Sequence, residues 1–280
     1  LVIRDQDGEA IPSVFRANLG EVVCGDDVVW QQAGDGDGVV VAVEPRVSAL
    51  SRPDIAGQDK AIAANITQLV VVLAPEPEPA GYLLDQYLVA AERIGVEGVI
   101  CLNKCDLLAP PERQAFAARY AHYAAIAYPL IEVSAKTDHG LDPLRERLRQ
   151  HTSILVGQSG VGKSSLINAL LPNETVVEGA LSDATGLGRH TTSAATLYAL
   201  DSGGDLIDSP GVRSFRLGDI SRSELAQGFR EFRPHLAHCR FHNCAHLSEP
   251  GCAIDAAARR GEIHPQRLAN YRHMAEALPS

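Results

Sequence analysis

Gly157-Gln158-Ser159-Gly160-Val161-Gly162-Lys163-Ser164 fits the pattern G-x-x-x-x-G-K-[ST], with Ser165 directly behind it. A loop of this kind, after a strand and before a helix, turns its backbone N–H groups onto phosphates. Lys163 then supplies a cation for β- and γ-phosphates, and Ser164 a hydroxyl for Mg²⁺. Asn103-Lys104-Cys105-Asp106 follows another apolar run. A carboxylate at Asp106 can accept from guanine N1–H and the 2-amino group together, and adenine offers neither donor in that geometry. N-K-x-D alone is a common string. So is Ser134-Ala135-Lys136, which usually means only a loop. Each sits at the C-terminal end of an apolar strand, where open α/β sheets bind ligands, so together they make a guanine pocket. Asp208-Ser209-Pro210-Gly211 follows Leu206-Ile207. In a nucleotide fold Asp208 holds Mg²⁺ through water and the Gly211 amide senses the γ-phosphate. Thr191 and Thr192 stand between the glycine loop and Asp208, where one hydroxyl could reach Mg²⁺.

A second chemistry lies near the C-terminus. Cys239, Cys244, His246 and Cys252 place three thiolates and one imidazole within 14 residues. That set matches a closed Cys₃His zinc site, and four protein ligands with no open position argue for a structural metal. His238 and His242 are close enough in sequence to compete with His246 for the fourth place.

These residues need elements to hold them. Residues 1–50 read as short strands between Gly/Asp turns, with no helical period, which suggests a small barrel or sandwich. Pro45 to Gln58 reads as a linker. From about 61 the texture changes. Residues 68–74 form an unbroken apolar run, the mark of a buried parallel strand. Pro75, Pro77 and Pro79 end it. A helix over 83–94, a strand over 98–102, a helix over 113–123, a strand over 130–133 and a helix over 141–149 follow. A strand over 153–156 then leads into the glycine loop and a helix over 164–171. Strands alternating with helices mean an α/β layered domain with a mainly parallel sheet. After Gly211 strand signals stop, and 225–232, 254–261 and 265–278 read as helices around the Cys/His cluster.

Composition narrows the class. A chain of 280 residues, 45% hydrophobic, suits two or three domains with real cores. No stretch approaches 18 uninterrupted apolar residues, so no transmembrane helix is expected. The chain opens Leu1-Val2-Ile3-Arg4-Asp5, without Met or a signal pattern, as expected of a trimmed N-terminus. Six cysteines are too few for a disulfide scaffold, and their clustering suggests a metal in a reducing compartment. The net charge of −10 makes a polyanion a poor default partner. Residues 212–280 differ: ten Arg and seven acidic side chains give +3 there, with six of the ten His. If the chain meets a polyanion, this is the surface to expect.

The nucleotide motifs are those of Ras-like GTPases in another order. N-K-x-D and S-A-K come first, then the glycine loop, the threonines and D-x-x-G. That is a circular permutation, tolerable because domain termini lie at the surface and close together. With Ser51-Arg52-Pro53, Gly188-Arg189-His190-Thr191-Thr192 and the zinc cluster, the whole chain resembles the ribosome small-subunit-dependent GTPase A family (RsgA, also YjeQ or YloQ). The resemblance implies an OB-fold barrel over 1–50, a linker over 51–60, a permuted GTPase domain over 61–217 and a mainly helical zinc-binding domain over 218–280. It implies GTP/GDP, Mg²⁺ and Zn²⁺ as ligands. It implies GTP hydrolysis stimulated by the small ribosomal subunit, late in that subunit's maturation, with 16S rRNA as the nucleic-acid partner. The expected form is a cytoplasmic monomer with no membrane partner. Two other readings stay open: a GTP-gated RNA-binding adaptor, and a GTPase acting on a non-ribosomal RNA.

Ras-type enzymes orient the attacking water with a Gln after D-x-x-G. Val212 holds that position here and cannot do so. His190, beside the threonines, is the internal candidate for the catalytic group, since an imidazole can orient water or accept its proton near neutral pH. A loop role or an RNA contact is the alternative for His190. The permutation also ties D-x-x-G covalently to the C-terminal region.

Overall fold

The computed structural model describes residues 1–16, 19–34, 37–53, 59–171, 195–209 and 217–278. His190, Thr191, Thr192, Gly211 and Val212 lie outside the described residues.

The first four strands are β1 (Val2–Arg4), β2 (Ala10–Phe15), β3 (Val28–Gln32) and β4 (Gly38–Val43). They form one sheet in the order β1-β2-β4-β3, with β2 and β4 parallel. The stretch expected as a linker is partly strand. β5 (Ala49–Pro53) and β6 (Asp59–Ala64) pair antiparallel, with Ala49 opposite Ala64 and Leu50 opposite Ala63. Leu50, Ala63 and Ala64 are buried, so apolar burial at the hairpin's base holds a segment whose other residues look like loop.

A six-stranded sheet follows: β7 (Gln68–Leu73), β8 (Glu97–Leu102), β9 (Leu130–Glu132), β10 (Thr152–Val156), β11 (Thr196–Ala199) and β12 (Asp205–Asp208). Its spatial order is β11-β12-β10-β7-β8-β9. All neighbours run parallel except the edge pair β11–β12. The chain steps outward from β7 to β9, then returns to lay β10 on the other side of β7. Direction therefore reverses between β7 and β10, and crevices at such reversals take ligands.

Period-two alternation sorts the sheet's side chains. Leu69, Val71 and Leu73 join Ile154, Val156, Ile100 and Leu102 on one face. Helix α1 (Leu83–Ile94) covers that face with Leu84, Tyr87 and Leu88. Val70, Val72, Val99 and Leu155 line the other face, under α4 (Leu141–Leu148) and α5 (Lys163–Leu170). Central strand β7 is buried along its whole length, which is why it reads as a continuous apolar run. The helix expected over 113–123 is two helices, α2 (Pro110–Ala118) and α3 (Ala121–Ala125). Between them the amides of Arg119 and Tyr120 bond three residues back, to Phe116 and Ala117. That tighter turn redirects the chain and buries Tyr123.

The C-terminal helices are α6 (Arg222–Gln227), α7 (Arg233–Leu236), α8 (Ala253–Arg259) and α9 (Pro265–Glu276). Ser221 starts α6 with a capping box closed by Glu224. Phe229, Phe232, Ile254, Ile263, Tyr271 and Met274 form their core, which also takes Val89 from α1. The Gly228 backbone packs so closely on the Val89 side chain that a Cβ there would meet Val89 Cγ1 at 2.6 Å. Among the described residues no helix is long and apolar enough to cross a membrane.

Candidate functional site

The glycine loop leaves the end of β10 and opens α5, as the sequence predicts. Gly157 has φ 138°, and a Cβ there would strike the Val72 carbonyl oxygen at 2.3 Å. Only glycine lets the loop leave the sheet so close to β7. Lys163 Nζ lies over the loop, donating to the carbonyls of Gly157 (2.6 Å) and Gln158 (2.8 Å). Ser164 is half-buried, and Ser159, Gly160 and Ser165 are exposed.

Asn103 directly follows β8 and is buried. Its Nδ2 donates to the Val161 carbonyl at 2.9 Å, and its Oδ1 accepts from the Ala135 amide at 3.4 Å. One side chain thus joins N-K-x-D, S-A-K and the glycine loop. Gly162, at φ 90°, leaves room for it: a Cβ would meet Asn103 Nδ2 at 2.5 Å. Lys104 takes the left-handed conformation and its Nζ donates to the Glu76 carbonyl at 3.0 Å. Cys105 is buried in a 3₁₀ turn, and Asp106 is exposed beside it. Ser134, fully buried, donates to Asp106 Oδ1 at 2.6 Å and accepts from the Thr137 amide. Lys136 is exposed. Asp208 closes β12, the parallel neighbour of β10, so it stands on the same edge of the sheet as the glycine loop.

Loop carbonyls complete the surroundings, and sequence reasoning missed them. Gln158 Nε2 donates to Pro77 (3.4 Å) and Glu78 (3.2 Å). The proline-rich stretch after β7 signals a strand end, and nothing in it tells where its carbonyls will face. A cavity of about 700 Å³ lies elsewhere, between α2, α3 and β9. Its lining is mostly alanine, which offers nothing to hold a phosphate.

The candidate metal ligands converge. One donor atom from each of Cys239, Cys244, His246 and Cys252 lies within 4.8 Å of the others. His246 Nδ1 is 3.5 Å from both Cys239 Sγ and Cys252 Sγ. A tetrahedral zinc with bonds of about 2.3 Å to sulfur and 2.0 Å to nitrogen requires an S···N edge of about 3.5 Å. The donor set and its spacing fit zinc. All six cysteines are free, and the other three lie apart from this group. Burial, with Cys105 close by, pushes the Cys101 thiol up to about 12, so it is an inert core residue. Between Cys239 and Cys244 the chain exposes Arg240, Phe241, His242 and Asn243.

The model of the RsgA GTPase family matches residues 43–218. Among curated proteins, the small ribosomal subunit biogenesis GTPase RsgA of Ectopseudomonas mendocina is 50% identical over 281 residues, covering 99% of this chain and 82% of that protein. The protein of the same description from Chromohalobacter salexigens is 52% identical over 264 residues, covering 94% and 77%. Among solved structures, YjeQ from Thermotoga maritima matches with a TM-score of 0.81 at 32% identity, covering 99% of this chain and 93% of that one. YloQ, described as a circularly permuted GTPase, matches at 0.77 and 29%, covering 99% and 90%.

Proposed function

The chain belongs to the RsgA GTPase family, and on that premise we propose that it hydrolyses GTP in the biogenesis of the small ribosomal subunit. Asn103 carries the reading: its bond to the Val161 carbonyl joins the base-reading motif to the phosphate-holding one. The glycine-loop amides and Lys163 hold the β- and γ-phosphates. Asp106, oriented by Ser134, accepts from guanine N1–H and the 2-amino group. Ser164 and Asp208, with Thr191 or Thr192, would hold Mg²⁺, which supplies positive charge at the phosphate oxygens. Gly211 would sense the γ-phosphate, and His190 would orient the attacking water.

The proposed layout is an OB-fold barrel over 1–50, a junction over 51–60, the permuted GTPase domain over 61–217 and a zinc domain over 218–280. The β5–β6 hairpin bridges the first two. The proposed form is a cytoplasmic monomer. Its partner is the small subunit, met through 16S rRNA. The family names and the +3 charge of residues 212–280 support this. So does the exposed Phe241 (41%) beside Arg240 on the metal knuckle, a pairing suited to stacking an unpaired base. GTP turnover measured alone, with small subunits, with large subunits and with tRNA tests the reading. Strong stimulation by small subunits only is expected. Stimulation by tRNA, or by neither subunit, overturns it.

A further inference from the structure

Arg267 of α9 is the most deeply buried cation described, at 1% exposure, and it crosses from the zinc domain to the GTPase domain. Its Nε and Nη2 donate to Glu231 at 2.6 and 2.8 Å, and Nη1 donates to Asp85 Oδ1. Asp85 sits in the first turn of α1 with no exposure, and also accepts from the Tyr123 hydroxyl at 2.7 Å. One turn further along α9, Asn270 Nδ2 donates to Asp85 Oδ2 at 2.5 Å and to the Gly81 carbonyl at 2.8 Å. The zinc domain thus fixes both the start of α1 and the chain just before it. That chain, residues 75–82, is the segment whose Glu76, Pro77 and Glu78 carbonyls hold Lys104 and Gln158. Pro75, Pro77 and Pro79 each lock φ, so the connection is a short stiff spacer.

We infer that Arg267 and Asn270 are positioning residues for the guanine-nucleotide pocket, acting on Gln158 and Lys104 through the 75–82 segment. This linkage rests on the nucleotide reading above and is distinct from the D-x-x-G loop. A segment held at both ends by hydrogen bonds has its position set from either end. Nucleotide that settles the glycine loop around its phosphates must therefore also settle α9, by the same coupling free energy.

Two measurements test it on the full zinc-loaded chain. In the unaltered protein, hydrogen exchange with and without saturating GDP is expected to slow at amides 265–276, and to stay unchanged in the strands of residues 1–43. A double-mutant cycle on GDP affinity, read by calorimetry, uses Asn270→Ala and Gln158→Ala. Each single change is expected to weaken GDP about three- to tenfold. The pair is expected to be no weaker than the worse single change, because both break one connection. Zinc content and melting temperature accompany each variant. If Asn270→Ala does not fold, exchange in the unaltered protein decides. An α9 indifferent to GDP, or a double variant whose loss is the product of the single losses, overturns the linkage. An unaltered chain that binds no GDP removes the nucleotide reading and this linkage with it.

Discussion

Ser134 donates to Asp106 Oδ1 and itself accepts from the Thr137 amide, so the carboxylate proposed to read guanine is oriented before any base arrives. Asp106→Asn should exchange one acceptor for a donor. GTP affinity is expected to fall by about 3 kcal/mol, over a hundredfold, while XTP gains. Competition between GTP and XTP checks this, and undiminished preference for GTP defeats the pocket assignment. Lys163→Ala should abolish GTP binding or turnover in the same assay. His190→Ala should leave nucleotide affinity alone and lower stimulated turnover; unchanged turnover would move the missing group onto the ribosome. Side chains such as Asp106 and Lys163 were legible because each sits at a fixed offset in a short string. Pro77 and Glu78 were not, since they contribute carbonyls, and every residue has one.

Helix α5 and strand β8 meet where Gly162 leaves space for Asn103. Gly162→Ala forces a Cβ against Asn103 Nδ2 in a left-handed conformation, and should weaken GDP binding at least tenfold in calorimetry while the fold persists. The proposed zinc site belongs to this scale too, since its four candidate ligands span the start of α8 and the turns before it. About one zinc per chain is expected by elemental analysis. Cys252→Ser, or a chelator, should unfold 218–280, because such sites supply folding energy. Nucleotide binding should survive at reduced affinity. A metal-free chain with an intact C-terminal fold refutes the site. Stacking of His122 in α3 on His264 at the start of α9 gives the same junction a pH response. Burial, then His264 and Arg267, push His122 down to about 4 against the pull of Glu231. The folded chain therefore holds fewer protons there than the unfolded one, and stability should fall as pH drops from about 6.5 toward 4. Melting curves of His122→Gln should lose part of that slope. Strands β7 and β8 were legible from their apolar runs. The β5–β6 hairpin and β11 were not, because Ser51, Arg52, Pro53 and Thr196 interrupt any apolar run in the sequence. The break between α2 and α3 follows from packing Tyr123 inward, which no local string encodes.

Across the whole chain, D-x-x-G leads straight into the net-positive stretch 212–280, so the loop proposed to sense the γ-phosphate is tethered to the proposed zinc domain. Binding to the small subunit should be tighter with a non-hydrolysable GTP analogue than with GDP, and the subunit must favour the GTP form by the same factor. Equal affinity in the two states, measured by co-sedimentation, sinks that coupling. Permutation was legible from motif order alone, whereas the spatial order of the strands had to be seen. That order has a consequence for how the protein is made. Gln68 of β7 meets its partner Ser153 of β10 across a gap of 85 residues. The half of the sheet proposed to read the base emerges from a translating ribosome first, with one flank of its most apolar strand bare. At 5–20 residues per second β10, which leads into the glycine loop, arrives roughly 4–17 s later. For that interval the nascent chain holds an unpaired hydrophobic edge, open to a chaperone or to its neighbour on the same messenger.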